Sequence, residues 1–499
     1  MNKTFKTLWN DVRRCYIVAN EAQKSHGKPS KCAVAVAVAA TALLSAGIAN
    51  ATYVEEGKLG STSSWESEEY GTDGYISQQK NQHGLTHINA SQAYAEGYTG
   101  KGVLIGVVDS GALLSHSELN DGRIFGVTAS GTYYKDGTRY PFAGIGQTGG
   151  ADNRTGEYKK GEAFETNGDW ILGHNDAHGT HVTSVVAGNR NGDGSHGVAF
   201  DAEIAVGNTG GTDNMNYGPY QDYNYFYAVW DAVGNTGAKV INNSWGTNIR
   251  INDSTSEHFN VGDMVEDKAD GSNEPAYGTV AQPGGSEEEY FLFMEDAEKN
   301  GGKNFMDAAY EVAAKHGLVQ IFTNGNRQFQ NPYYRAAYAY YNPEAEKYWI
   351  AAGGVDVDAD GNEMIMGWGK DYSGTGAALE GGNTYNRAGI AKWWGIAAPT
   401  NVLGANVNSS TGEASMSQAG GTSNAAPHIA GAMVVLLQRY GTYMDVTQVR
   451  DVMFTTARQT QLNNPDELLP GISESEFGAP EDDYGWGIVD LGKAIYGPG

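Results

Sequence analysis

The chain has 499 residues, 69 of them Gly and 13 Pro, and carries a formal net charge of −26. Its 30 Tyr and 10 Trp exclude a disordered linker protein, because such side chains bury surface on folding. An acidic excess of this size repels phosphate backbones and anionic lipid, which argues against nucleic-acid binding.

Residues 1–51 carry seven Lys/Arg and two Asp/Glu, a charge of +5, which leaves −31 on the remainder. Residues 32–49 are almost wholly apolar and Ala/Val-rich, and Ala49-Asn50-Ala51 forms an A-x-A site. A basic region, an apolar core and a small-residue cleavage site together make a secretory signal. The basic region is unusually long. Met1 to Asn10, Cys15-Tyr16-Ile17-Val18 and Lys24-Ser25-His26-Gly27-Lys28 resemble the extended signal peptide of Gram-negative autotransporters. The chain's two cysteines, Cys15 and Cys32, both lie here. A mature protein without them has no disulfide, which suits a chain that crosses a second membrane unfolded. Residues 52–80 are polar and read as a linker or short propeptide, and a folded domain spans 81–497.

Within that domain, Gly102 to Val108 is a short β-branched run that predicts a buried parallel strand, ending at Asp109. Residues 121–175 read as a Gly/Asn/Tyr-rich loop. His178-Gly179-Thr180-His181 leads into a helix over 182–187 that stops at Gly188. Tyr223 to Val233 has helical spacing, and 238–242 reads as a strand. Residues 247–300 read as a polar, acidic insertion. Phe305 to His316 predicts an amphipathic helix closed by Gly317. Strands follow at 318–323, 349–355 and 393–398. Ala425 to Leu437 reads as a buried helix, and Asp445 with Gln448 caps another over 445–457. Alternating strands and helices predict an α/β domain with a mainly parallel sheet.

Three positions carry chemistry. Ser423 follows Gly420-Gly421-Thr422 at the start of the buried helix. Unpaired N–H groups and the positive dipole end favour a developing oxyanion there. A serine needs a base, and the base needs an orienting partner. His178 heads a helix, and Asp109 ends a strand, where sites form in open α/β sheets. Ser423 is then the nucleophile, His178 the base and Asp109 the residue that holds the imidazole tautomer.

Val107-Val108-Asp109-Ser110-Gly111, His178-Gly179-Thr180-His181-Val182 and Gly421-Thr422-Ser423-Asn424-Ala425-Ala426-Pro427-His428 resemble the three signature segments of subtilisin-like serine proteases. The resemblance covers about 83–497. It implies a subtilisin-like three-layer fold. It implies that Asn326, in Gly325-Asn326, completes an oxyanion hole with the Ser423 N–H. It also implies that Ser244, Trp245 and Gly246 pair with an extended peptide substrate and wall the S1 pocket. The chain departs from the family pattern at Thr183-Ser184, Phe200, Asn424 and Thr323-Asn324. None of these removes a group the mechanism needs; they bear on pocket shape.

Other chemistries are weaker. His174, His178 and His181 suggest zinc, but no Glu stands in a zincin pattern. His181 reads instead as a packed histidine behind the base. Asp356-Val357-Asp358-Ala359-Asp360-Gly361 opens like a calcium loop, but Gly367 occupies the twelfth position, and a hairpin turn fits better. Structural calcium is compatible with the family, but no site is legible, and no other cofactor is expected. An α/β-hydrolase esterase fails, since its acid and then its histidine follow the serine.

The expectation is a secreted or cell-surface serine endopeptidase, exported through the periplasm, acting on protein or peptide substrates. The alternative is an inactive adhesin or binding module on the same fold. An autotransporter also implies an outer-membrane β-barrel translocator of alternating strands, and none is encoded within these residues.

Overall fold

The computed structural model describes residues 5–10, 15–20, 84–139, 156–173, 175–191, 195–210, 221–245, 286–326, 330–357, 362–365 and 385–498. The cleavage site, the 52–80 linker, His174 and Gly246 lie outside them. Within the signal region, Phe5–Asn10 and Cys15–Asn20 pair as antiparallel strands.

The frame is a sheet built from β1 (Leu104–Asp109), β2 (Ile124–Gly126), β3 (Glu203–Asn208), β4 (Val240–Asn243), β5 (Val319–Thr323), β6 (Trp349–Val357), β7 (Glu363–Met364) and β8 (Gly395–Pro399). Its order is β7-β6-β5-β4-β1-β3-β2, with β8 also pairing β6. All these pairings are parallel except β6 with β7. β4, β5, β6 and β8 are buried along their whole length, as strands of a parallel sheet covered on both faces are, and their sequences show no sustained apolar/polar alternation.

The helices that matter to the site are α1 (Ala90–Ala95), α2 (His178–Ala187), α3 (Tyr223–Asn235), α4 (Ser286–Lys299), α5 (Phe305–His316), α6 (Tyr334–Tyr341), α7 (Thr422–Tyr440) and α8 (Val446–Thr455). α3 packs on α5, and α2 packs on α7. At β1 and β3 the α3 side chains come so close that a Cβ on Gly106 would lie 2.3 Å from Val233. α7 is buried from Thr422 to Leu436. A helix apolar on all sides needs neighbours all round, and α7 has α2, α8 and the sheet.

Local chemistry sets several boundaries. Asn304 accepts from the N–H groups of Met306 and Asp307 while Asp307 returns a bond to the Asn304 N–H, a complete capping box. At the other end of α5, Gly317 is left-handed with φ 59°. Asp445 and Gln448 cap α8 in the same reciprocal way. The expected strand at 393–398 begins two residues later, because Trp393 and Trp394 complete a 3-10 turn over Gly389–Trp394.

Two expectations need correcting. The segment 121–175 is not all loop: besides β2 it contains antiparallel pairs 128–132 with 163–167 and 137–139 with 156–158. The acidic insertion at 247–300 ends in α4, which buries Phe293, Asp296 and Ala297 on one face. Asp356↔Met364 and Val357↔Glu363 pair across β6 and β7, in keeping with a hairpin there, and residues 358–361 lie outside the description. Past β8 a further hairpin, β9 (Val402–Val407) with β10 (Ala414–Ala419), stands off the main sheet and leads into Ser423.

Candidate active site

β1 ends at Asp109, which is fully buried. The Ser110 N–H donates to Asp109 Oδ1 at 2.7 Å, and the Asp109 carbonyl accepts from the Thr209 N–H at the end of β3. The carboxylate is thus held by the turn it belongs to. α2 begins four residues earlier than its apolar run suggested, at His178 itself. This places the imidazole over the end of β1, with His178 Nδ1 2.8 Å from Asp109 Oδ1. The two residues are 69 positions apart in the chain.

Close approach of backbones makes this contact possible. A Cβ on Gly179 would sit 2.2 Å from the Gly111 carbonyl oxygen, so only glycine lets α2 rest on the 109–111 turn. Thr180 Oγ1 accepts from the Leu113 N–H one step further on.

His181, one turn along α2, is buried. Burial, and then the neighbouring His178, push its pKa down to about 4, and it lies beside Asn424 of α7. It is a neutral, packed ring that joins the helix of His178 to the helix of Ser423.

Ser423 lies in the first turn of α7 and is 7% exposed. Gly421 just before the helix has φ 91°, a conformation that an L side chain strains to adopt. Pro427 lies inside α7 and has no N–H to return to the Ser423 carbonyl. The first-turn N–H groups of α7, that of Ser423 among them, have no partner one turn earlier in the helix. The Thr422 N–H is satisfied by Asn326 Oδ1 at 2.9 Å, which also accepts from the Thr422 hydroxyl at 2.9 Å. With its oxygen engaged by Thr422, the amide of Asn326 turns its NH2 end elsewhere.

Ser244 and Trp245 lie just past β4, next to β1 in the sheet. Both are fully buried, and the Trp245 indole donates to the Val108 carbonyl at 2.8 Å. The indole packs among Phe226, Trp230, Phe305 and Phe322. Both side chains are thus taken up by the core.

The site contains a second carboxylate that sequence reasoning passed over. Asp176 Oδ1 accepts from the His178 N–H at 3.0 Å and from the Ser110 hydroxyl at 2.8 Å. An acidic residue just ahead of a helix start was the available signal. The partnership with Ser110 had none, since it joins segments 66 residues apart.

A mainly parallel sheet that carries Asp, His and Ser in that chain order, the last two at helix starts, defines the subtilisin-like class of α/β proteins. Residues 100–487 match the Subtilase family, and the chain belongs to that family. Residues 1–49 match the Extended Signal Peptide of Type V secretion system. An extracellular serine protease of Serratia marcescens is 29% identical over 471 residues, which cover 90% of this chain and 36% of that protein. The Neisserial autotransporter lipoprotein NalP of Neisseria meningitidis is 28% identical over 426 residues, 82% of this chain and 34% of that one. The chain thus spans about a third of the length of these curated relatives. Among solved structures, fervidolysin of Fervidobacterium pennivorans is similar with a TM-score of 0.44 at 19% identity, covering 83% of this chain and 45% of that one.

Proposed function

We propose that the protein is a secreted serine endopeptidase, the passenger of a Gram-negative autotransporter, that hydrolyses peptide bonds through an acyl-enzyme on Ser423. The observation that carries this reading is the 2.8 Å pair of Asp109 and His178 in a subtilase chain whose Ser423 opens α7.

In this mechanism Ser423 Oγ attacks the scissile carbonyl carbon as His178 Nε2 takes the hydroxyl proton. The Ser423 N–H and the Asn326 amide donate to the oxyanion. His178 then hands the proton to the amide nitrogen, the C–N bond breaks, and the amine leaves. Water, deprotonated by the same imidazole, attacks the ester and releases the acid. Asp109 stabilises the imidazolium at each stage without taking its proton. The substrate lies extended along Ser244–Gly246, so it is an unfolded or loop segment of a protein. The extended signal directs export, and a β-barrel translocator is the expected partner in secretion.

Fluorophosphonate labelling of the exported protein, compared with Ser423→Ala, tests the reading. A label on the wild type that the variant lacks, together with lost casein hydrolysis, is the expected result. An unlabelled wild type leaves the fold as a binding module.

A further inference from the structure

Asp176, Ser110, His178 and Asp109 form a closed ring of hydrogen bonds. The Ser110 N–H goes to Asp109 Oδ1, and the Ser110 hydroxyl goes to Asp176 Oδ1. Asp176 Oδ1 in turn accepts from the His178 N–H, and His178 Nδ1 meets Asp109 Oδ1. Ser110 Oγ also accepts from the Gly179 N–H at 2.9 Å, so one serine bridges both carboxylates and the start of α2. Asp176 is fixed from outside this ring as well: its carbonyl accepts from the Trp170 indole at 2.9 Å. The turn before it is closed by Asn175, whose side chain accepts from the Ile171 N–H.

We propose that Asp176 is a positioning residue for the base: through Ser110 it locks the first turn of α2 onto the Asp109 turn, and it adds a second negative charge that favours the His178 imidazolium. This rests on the peptidase reading above.

The titratable groups around His178 are Asp109 on β1, Asp176 before α2 and His181 on α2, with His428 on α7 next to His181. His181 and His428 are both buried and held neutral, with pKa values down to about 4. Burial raises the Asp176 pKa and the Asp109 charge adds to the rise, while the charge of His178 and the hydrogen bonds from Ser110 and the His178 N–H act against it. The attraction is mutual, so a charged Asp176 favours protonated His178. When Asp176 is ionised, a second carboxylate, acting through the helix start, favours the proton that His178 accepts during attack.

Full-length Asp176→Asn and Asp176→Ser test this: asparagine keeps the shape and an acceptor oxygen and removes the charge, and serine removes the charge while leaving a shorter acceptor ahead of the helix. The measurement is kcat/KM against pH on a peptide substrate. The acid limb is expected to move to lower pH by about 0.5 unit or more, with a plateau reduced by up to about tenfold. Asp176→Glu should restore the wild-type limb. Ser110→Ala, which breaks the bridge, should lower kcat more than it changes KM. An acid limb that superimposes on the wild type in either folded uncharged variant overturns the proposal. A wild type that neither cleaves peptide nor takes the fluorophosphonate label is a different failure: it removes the peptidase reading and this inference with it.

Discussion

Asn326 Oδ1 lies 2.9 Å from both the backbone nitrogen and the hydroxyl oxygen of Thr422, 96 residues away and directly before Ser423. The loop after β5 and the start of α7 are therefore tied together, with the oxygen end of the Asn326 amide engaged by Thr422. Asn326→Ala should lower kcat by about 10²–10³, the size known for loss of one oxyanion donor, with KM little changed. Thr422→Val keeps the backbone bond and loses the hydroxyl, and should cost about tenfold in kcat. Steady-state kinetics on one peptide check both, and a larger effect on KM than on kcat would count against the oxyanion role.

Asp109→Asn leaves a side chain of the same shape but presents the wrong partner to His178 Nδ1. The expected loss in kcat is about 10⁴, from an imidazole held in the wrong tautomer. Because the triad acts as a unit, Asp109→Asn added to Ser423→Ala should cost almost nothing further. A double variant much slower than Ser423→Ala alone contradicts the shared role.

Gly179→Ala places a methyl group 2.2 Å from the Gly111 carbonyl oxygen. Backbone cannot yield there without moving α2 off Asp109. Overpacking of this kind costs about 1–3 kcal/mol, and a shift in the base lowers kcat as well. Thermal unfolding together with kinetics checks the pair of effects, and a variant with normal stability and rate shows that the approach is not needed.

Lys135 Nζ lies 2.5 Å from Asp296 Oδ2, both buried, and so joins the 121–175 segment to α4. Asp222, the cap of α3, accepts from the backbone of Tyr134 and Lys135 beside it. Lys135→Met strands a buried carboxylate and should destabilise by about 3–5 kcal/mol, whereas Lys135→Met with Asp296→Leu should recover most of that. Urea unfolding measures both. Equal losses in the single and double variants rule out the pair as the cause.

Two buried groups give stability opposite pH slopes. Burial lowers the His428 pKa from 6.5 to about 4, so between those values the unfolded chain binds the extra proton. Its contribution is present above pH 6.5 and is lost as pH falls toward 4. Burial raises the Asp356 pKa from 3.8 to about 6, while hydrogen bonds from Thr400 and Tyr385 oppose the rise. Its contribution is present below pH 3.8 and is lost as pH rises through 6. His428→Gln should flatten the acid-side loss, and Asp356→Asn should flatten the opposite one. Denaturant midpoints from pH 4 to 7 read each slope, and unchanged slopes in folded variants disprove the assignments.

The amino-acid sequence by itself determined the export signal, the residues Asp109, His178 and Ser423 with their order, and most strands of the sheet. Each of these depends on a short stretch whose meaning is local. A β-branched run is a buried strand, an Asn304–Asp307 pair starts a helix, and Gly317 with φ 59° ends it. The strands within 121–175 escaped notice because Thr128–Thr132 has no clean apolar alternation, and α4 because its buried face lies within an acidic run. Only the tertiary structure decided that Trp245 faces the core, that Asn326 is tied to Thr422, and that Asp176 and Ser110 close a ring around the base. Those contacts join residues 66 or more positions apart. Local periodicity carries no record of such partners, because parallel strands bring them together only after the sheet has formed.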